Sequence, residues 1–172
     1  MSLRRRTLKK CLTELVPDPK RIAVSLAAIS ALVFGLLLPE RIVVAVSPSL
    51  DHRVFVLTGF TPDQIKKEDY VLFTVRSHYI KNGKPTRLLK KVSCVAGQRL
   101  ETRARQYYCD GEYLGTAKHY SLKGEPVDSF VYSGTVPEGK LFVTGQHVDS
   151  FDSRYLGFIE RSTVESIARP LL

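Results

Sequence analysis

The chain has 172 residues, of which 26 are Lys or Arg and 17 are Asp or Glu, so its formal net charge at pH 7 is +9. Its length suits one domain of ordinary size, and 44% hydrophobic with 25% charged residues is not the composition of a disordered protein. Three cysteines without a Cys-x-x-Cys pair argue against a disulfide-dense miniprotein and against a zinc ribbon.

Basic residues are concentrated ahead of an apolar run at the N-terminus. Residues 1–21 contain seven basic and two acidic residues and so carry +5 of the charge, whereas residues 22–38 contain no charged residue. This layout predicts a cytoplasmic basic segment over 1–21 and one transmembrane helix over 22–38, because basic flanks stay on the cytoplasmic side. A cleaved signal peptide and a buried core helix are the alternatives. No nucleic-acid partner is expected, since aromatic residues do not interleave the basic ones.

The rest of the chain predicts a mainly β, antiparallel domain on the far side of the membrane. Short runs rich in β-branched and aromatic residues alternate with turn signals such as Asn82-Gly83, Asp110-Gly111 and Glu138-Gly139. The predicted strands are Arg41–Val46, Arg53–Leu57, Tyr70–Tyr79, Arg87–Val95, Arg99–Thr102, Gln106–Cys109, Phe130–Tyr132, Lys140–Thr144 and Tyr155–Ile159.

One lysine interrupts an otherwise apolar strand face. Alternation along the strand gives a face of Leu88, Lys90, Val92 and Cys94. An unpaired ammonium is costly to bury, so burial lowers the pKa of such a lysine and makes it usable as a general base. A lysine that reaches solvent at a sheet edge, or pairs with an acid, is the alternative.

Two serines, in Ser47-Pro48-Ser49, follow the apolar run within a dozen residues. Such a tripeptide is commonly a simple turn. A serine this close to the bilayer would also suit a substrate that is itself embedded in the membrane. The residues by themselves leave both interpretations open.

Four segments resemble the conserved boxes of type I signal peptidases, the Ser/Lys-dyad proteases that release exported proteins from their leader peptides. Residues 145–157, GQHVDSFDSRYLG, resemble the box GDNRxxSxDSRxxG. The three others fall in the family's order and are Lys67–Phe73 (G-D-x-V-x-F), Leu89–Gln98 (K-R-V-x-G-x-P-G-D) and Val136–Val143 (P-x-G-x-x-F-V). With the apolar run, the resemblance covers residues 22–160, and it implies an antiparallel catalytic domain behind one membrane anchor.

The resemblance implies a role for each matching residue. Ser49 is the nucleophile and Lys90 is the general base. Ser47 supplies a hydroxyl to the oxyanion hole beside the backbone N–H of Ser49. The supporting residues are Ser150, which orients the lysine, and the pair Asp152 and Arg154. Neither a cofactor nor a metal is implied.

The nucleophile segment departs from the usual box S-M-x-P, because neither serine has proline three residues later. Residues 49–55 are similar to the variant S-x-P-x-G-x-Y of TraF-like peptidases, which mature pilins for plasmid conjugation. Asp51 stands where this variant has proline, and Arg53 where it has glycine. Ser49 is therefore the predicted nucleophile, with Ser47 as the alternative.

The expected function is a membrane-anchored serine endopeptidase that removes leader peptides and matures a conjugative pilin precursor. Gln146-His147 in place of Asp-Asn also points away from the housekeeping enzyme. The expected partners are the precursor protein, the lipid bilayer and other proteins of the conjugation apparatus. The expected location is the bacterial inner membrane, with residues 39–172 as a periplasmic serine peptidase domain. Release by water or by a substrate amine, giving a linear or a cyclic product, is left open.

Other functions stay open as alternatives. A housekeeping type I signal peptidase has the same chemistry, and a non-catalytic β adaptor of a conjugation or secretion complex has the same topology. A Ser-His-Asp hydrolase would use His147 beside Asp149, but the sequence has no G-x-S-x-G elbow. In an oxidising periplasm, Cys94 and Cys109 either form a disulfide or remain free, with Cys94 a small buried residue.

Overall fold

The computed structural model describes residues 19–37, 41–47, 49–80 and 83–171. They fall into two units, with helix α1 (Pro19–Leu37) in the first and the residues from Arg41 onward in the second. Several predicted features lie outside the described residues. These are residues 1–18 of the basic segment, Leu38 at the end of the apolar run, residues 39, 40 and 172 of the predicted domain, Pro48, and Asn82 of a predicted turn.

Helix α1 begins at Pro19, a position where the fixed φ and missing N–H of proline are tolerated. Aliphatic residues dominate the helix, and Val24, Leu26 and Leu32 are among its exposed side chains. Measured over the described residues, no helix combines the length and the hydropathy that a membrane span requires.

The described part of the second unit consists of antiparallel strands, which confirms the mainly β class. The strands are β1 (Ile42–Val44), β2 (Val54–Thr58), β3 (Tyr70–Val75), β4 (Thr86–Val95), β5 (Arg99–Arg103), β6 (Gln106–Cys109), β7 (Glu112–Thr116), β8 (Ser133–Thr135), β9 (Lys140–Thr144), β10 (Ile159–Glu160) and β11 (Val164–Pro170). A short helix, α2 (Ser153–Leu156), lies between β9 and β10. One sheet has the order β1-β2-β11-β3-β4-β9-β10 and the other β7-β6-β5-β8.

Two of the predicted strands are wrong. Residues 130–132 have no regular structure, and β8 begins at Ser133 instead. Within the predicted strand 155–159, the first two residues belong to α2, because the side chain of Asp152 caps that helix by accepting from the backbone N–H of Arg154. Strands β7 and β11 were not predicted. In β11 a register shift between Val164 and Ser166 breaks the alternation that would have revealed the strand.

The predicted face of Leu88, Lys90, Val92 and Cys94 is wrong at Cys94, because β4 contains a bulge after Val92. Val92 pairs with Val143, but the register then shifts and Cys94 pairs with Phe142, whose side chain lies in a different core cluster from that of Val143. Cys94 is therefore on the opposite face from Val92. There it forms a disulfide with Cys109 of β6, which links the two sheets with a Cα–Cα distance of 5.8 Å.

Candidate active site

Lys90 lies near the middle of β4, where its neighbour across the ladder is Val71 of β3. Alternation puts Leu88 and Val92 on the same face, and Val71 and Val92 both belong to the largest core cluster. The lysine is only 4% exposed. The strand pattern therefore places an ammonium group against an apolar core.

Burial lowers the pKa of Lys90 from 10.5 to about 8, since desolvation disfavours the charged form. Asp152 raises this pKa and Arg154 lowers it, so the two neighbouring charges oppose each other and burial decides the direction. With a pKa of about 8, roughly one lysine in ten is neutral at pH 7. The neutral amine is the form that accepts a proton from a hydroxyl.

Ser150 is the hydrogen-bond partner of this lysine. Lys90 Nζ donates to Ser150 Oγ over 2.8 Å, and Ser150 is itself 3% exposed. The backbone N–H of Ser150 donates to the carbonyl of His147, which closes a tight turn just before α2. The serine that was predicted to orient the lysine therefore contacts it directly.

The carboxylate of Asp152 is fully buried and accepts four hydrogen bonds. Oδ2 accepts from the backbone N–H of Gly145 at 2.8 Å and from Arg154 Nη2 at 2.7 Å. Oδ1 accepts from Arg154 Nε at 2.9 Å and from the backbone N–H of Arg154 at 3.1 Å. Arg154 also donates to the carbonyl of Thr116 in β7, at 3.1 Å. This ion pair ties the end of β9 to α2 and to the second sheet.

Ser47 and Ser49 lie together in the segment that joins β1 to β2. Their hydroxyl oxygens are 2.6 Å apart and share a hydrogen bond in which either can be the donor. Ser47 is exposed and Ser49 is half-buried. The backbone carbonyl of Ser49 accepts from the N–H of Gln146 at 2.8 Å and from the N–H of His147 at 3.4 Å.

Gly145 lies between the side chain of Ser150 and the backbone of Ser49. A Cβ on this glycine would lie 2.1 Å from Ser150 Oγ and 2.8 Å from the carbonyl oxygen of Ser49, so no other residue fits without displacing them. The loop after β9 thus contacts the backbone of Ser49 through Gln146 and His147, and the amine of Lys90 through Ser150. Over the described residues, no hydrogen bond joins the Ser49 hydroxyl to Lys90: the hydroxyl is paired with Ser47 and the amine with Ser150.

Two residues of the site were missed as participants by the sequence interpretation. Gln146 and Asp51 were noted only as departures from family boxes, yet their side chains contact each other. The backbone N–H of Asp51 donates to Gln146 Oε1 at 2.9 Å, and Gln146 Nε2 donates to Asp51 Oδ2. A separation of 95 residues leaves no local signal for this pair.

The histidine of the alternative triad is engaged within its own loop. His147 Nδ1 accepts from the backbone N–H of Asp149 at 3.1 Å, and its distance to Asp149 Oδ2 is 3.7 Å. Across the described residues, no group of three His, Cys, Asp or Glu side chains has the geometry to hold a metal ion.

A cavity of about 570 Å³ lies beside the candidate site. Its lining includes Lys91, Ser93, Thr144, Gly145 and Gln146. Lys91 pairs with Thr144 and projects from the face of β4 opposite to Lys90. The cavity therefore borders the nucleophile segment through Gln146, but Lys90 is not among the residues that line it.

Comparisons with known proteins found a family model, a relative and a solved structure that are similar to this chain. The family model described as signal peptidase, peptidase S26, matches residues 19–171. Conjugal transfer protein TraF of Agrobacterium fabrum (strain C58 / ATCC 33970) is 35% identical over 86 residues, which are 49% of this chain and 48% of that protein. The chain thus matches about half the length of this curated relative. A crystal structure of a signal peptidase I from Enterococcus faecalis V583 aligns with a TM-score of 0.40 and 27% identity, covering 60% of this chain and 96% of that one.

Proposed function

The chain belongs to the signal peptidase family S26, and on this premise we propose that it is a membrane-anchored serine endopeptidase that cleaves leader peptides from exported precursors. Ser49 is the nucleophile and Lys90 is the general base. The observation that carries the proposal is a lysine only 4% exposed, whose pKa burial lowers to about 8. Its hydrogen-bond partner Ser150 belongs to the same loop as Gln146, which contacts the backbone of Ser49. An adaptor without catalytic activity would have no use for this costly burial.

The proposed reaction is acyl transfer. Neutral Lys90 takes the proton of Ser49 Oγ, which attacks the scissile carbonyl of the precursor. To reach the lysine, the Ser49 hydroxyl exchanges its hydrogen bond with Ser47 for one with Lys90, and catalytic hydrogen bonds often tighten in this way when substrate binds. The freed Ser47 hydroxyl and the backbone N–H of Ser49 then hold the oxyanion. Protonated Lys90 gives its proton to the leaving amine, and water resolves the acyl-enzyme.

The edge of β4 supplies a place for an extended substrate. Residues 86–91 pair with β3 on one side, but β9 joins the other side only from Lys91 onward. In the part of the chain that the structure describes, residues 86–90 therefore have an edge without a strand partner. An extended precursor segment that adds to this edge would lie alongside Lys90.

The anchor and the location rest on the sequence together with the disulfide. The apolar run 22–38 follows a segment of charge +5, which favours one span with a cytoplasmic N-terminus. The Cys94–Cys109 disulfide favours an oxidising compartment for the second unit, as expected of the periplasm. We therefore assign residues 39–172 to a periplasmic domain at the bacterial inner membrane.

The substrate that we propose is the precursor of a conjugative pilin. This rests on the partial match to a protein named for conjugal transfer and on the TraF-like frame of residues 49–55. If an amine of the substrate resolves the acyl-enzyme in place of water, the product is cyclic and lighter by one water. Other proteins of the conjugation apparatus would be partners that deliver the precursor.

The test is co-expression of the full-length protein with a conjugative pilin precursor, followed by mass spectrometry of the pilin. We expect processing by the wild type and by the control Lys91→Ala, whose side chain is on the other face of β4, but none by Ser49→Ala or Lys90→Ala. Membrane insertion of each variant is checked by fractionation. Full processing by either site variant contradicts the proposed dyad, and loss of processing in His147→Ala but not in Lys90→Ala favours a Ser-His-Asp mechanism.

A further inference from the structure

The loop from Gly145 to Ser150 contacts both parts of the proposed catalytic pair. At one end, Ser150 accepts the hydrogen bond from Lys90 Nζ at 2.8 Å. At the other end, Gln146 contacts the nucleophile segment at two residues. Any change in how this loop holds the nucleophile segment therefore changes the position of Ser49 relative to Lys90.

Gln146 makes three hydrogen bonds to the nucleophile segment. Its backbone N–H donates to the carbonyl of Ser49 at 2.8 Å. Its side-chain Oε1 accepts from the backbone N–H of Asp51 at 2.9 Å, and its Nε2 donates to the Asp51 carboxylate. The side-chain amide of Gln146 thus pairs with one donor and one acceptor of Asp51. Two bonds to the same residue fix both the orientation of the nucleophile segment and its distance from the loop.

We propose that the Asp51–Gln146 pair is a positioning device that sets the Ser49 nucleophile against its base. This inference rests on the proposed function of Ser49 and Lys90. The pair contacts neither the substrate carbonyl nor the transferred proton, and it acts through the backbone of residues 49–51. A displacement of about 1 Å in such a geometry can lower a rate by about 100-fold. The pair can therefore have a large effect on the acylation rate although both side chains are exposed.

The chemistry of the two side chains explains why they occur together. Asp51 stands where the TraF-like box has proline, and Gln146 where the last family box has aspartate. With Asp51 present, an acid at position 146 would bring two carboxylates together, and like charges at hydrogen-bond distance repel. An amide at position 146 replaces this repulsion by a donor. Asp51 is therefore better matched by the amide at position 146 than by the aspartate of the family box.

The experiment measures the rate at which a penem acylates Ser49 in the full-length protein in detergent micelles, with the acylated residue located by mass spectrometry. Gln146→Glu sets a carboxylate against Asp51, and we expect acylation to slow by about 10- to 100-fold. Asp51→Asn alone keeps an acceptor for Gln146 Nε2 and is expected within about threefold of wild type. The exchanged variant Asp51→Asn with Gln146→Glu restores both bonds with one direction reversed, so its rate is expected to recover to within about threefold.

Two further variants separate positioning from folding. Gln106→Glu makes the same change at an exposed glutamine of β6 whose side-chain oxygen accepts from Tyr108, and it is expected to react like the wild type. Gln146→Ala removes the side-chain bonds without adding charge and is expected to be about tenfold slower at an unchanged melting temperature.

An unchanged rate in Gln146→Glu, or no recovery in the exchanged variant, overturns the positioning role alone. Absence of acylation at Ser49 in the wild type, or acylation at the wild-type rate in Lys90→Ala, overturns the proposed function and the positioning role with it.

Discussion

The two halves of the candidate site are held by different kinds of contact. The lysine half, which we define as Lys90, Ser150, Asp152 and Arg154, is at most 4% exposed. The nucleophile half, which we define as Ser47, Ser49, Asp51 and Gln146, is exposed or half-buried. A buried charge without its partner is costly, whereas an exposed hydrogen bond can be replaced by water.

Because of this difference, we expect substitutions in the two halves to affect different properties of the protein. Changes in the lysine half are expected to alter the free energy of unfolding, because Asp152 and Arg154 compensate each other's buried charge whereas the charge of Lys90 is buried at a cost. Changes in the nucleophile half are expected to alter the catalytic rate with little effect on folding. The four predictions below test this separation.

The largest effect is expected when the buried ion pair is broken. Asp152→Ala leaves the guanidinium of Arg154 buried without its carboxylate and the backbone N–H of Gly145 without an acceptor. Removing one partner of a buried pair costs about 3–5 kcal/mol of the free energy of unfolding. Urea unfolding of the full-length protein in micelles measures the loss. The control Glu165→Ala breaks the exposed pair with Arg87 and should cost less than about 1 kcal/mol; equal losses in the two variants would remove the basis of the comparison.

The second prediction concerns the glycine that both halves touch. In Gly145→Ala the new Cβ would meet Ser150 Oγ at 2.1 Å and the Ser49 carbonyl at 2.8 Å, so the two halves are forced apart. We expect the rate of Ser49 acylation by a penem to fall by about 100-fold. Gly59→Ala is the matched control, because nothing lies within 4 Å of its added Cβ. A Gly145→Ala variant as reactive as Gly59→Ala would show that the contact does not set the geometry.

The third prediction is a variant of the lysine half that is more stable than the wild type. Folding lowers the pKa of Lys90 from 10.5 to about 8, so the unfolded chain binds this proton more tightly and stability rises with pH between those two values. Lys90→Met removes that dependence. Since one pKa unit corresponds to 1.36 kcal/mol, and the bond to Ser150 is lost, we expect the variant to be about 2 kcal/mol more stable than the wild type below pH 8.

The pH dependence checks the cause of that gain. The difference in unfolding free energy between Lys90→Met and the wild type should shrink as pH rises from 8 toward 10.5. Wild-type acylation should increase about tenfold per pH unit below 8 and level off above it, because only neutral Lys90 accepts the proton. A gain in stability that is constant with pH would assign it to packing rather than to the buried charge.

The sequence predicted the lysine half more fully than the nucleophile half, for a physical reason. Alternation along a strand is a local rule, so the apolar neighbours of Lys90 could be identified from residues 88–92 alone. The same rule failed two residues later, since the bulge after Val92 sends Cys94 to the other face. The sequence therefore left the Cys94–Cys109 disulfide open.

Contacts between distant segments account for what the sequence could not predict. The Asp51–Gln146 pair joins residues 95 apart, so the local sequence around either residue gives no sign that their side chains contact each other. The turn between β5 and β6 is similar, because Ala104 and Arg105 both have positive φ without the usual glycine or asparagine. Contacts with residues distant in the sequence stabilise this turn, since the Arg105 guanidinium donates to the carbonyls of Ala117, Lys118 and Val127. Asp110-Gly111, whose positive φ values suit a two-residue hairpin, was predicted as a turn from its composition.

The smallest effect is expected at Ser47, the most solvent-accessible group assigned to the reaction. Ser47→Ala removes the hydroxyl 2.6 Å from Ser49 Oγ, and loss of a buried oxyanion donor typically lowers a rate by about 100-fold or more. Because Ser47 is exposed, water can take its place, so we expect acylation of Ser49 to slow by only about tenfold. The free energy of unfolding should change by less than about 0.5 kcal/mol, and Ser47→Thr, which keeps the hydroxyl, should react within about threefold of the wild type. A 100-fold loss would mean that the bound penem excludes water from the position of the Ser47 hydroxyl. If Ser47→Ala were not acylated while Ser49→Ala still was, Ser47 and not Ser49 would be the nucleophile.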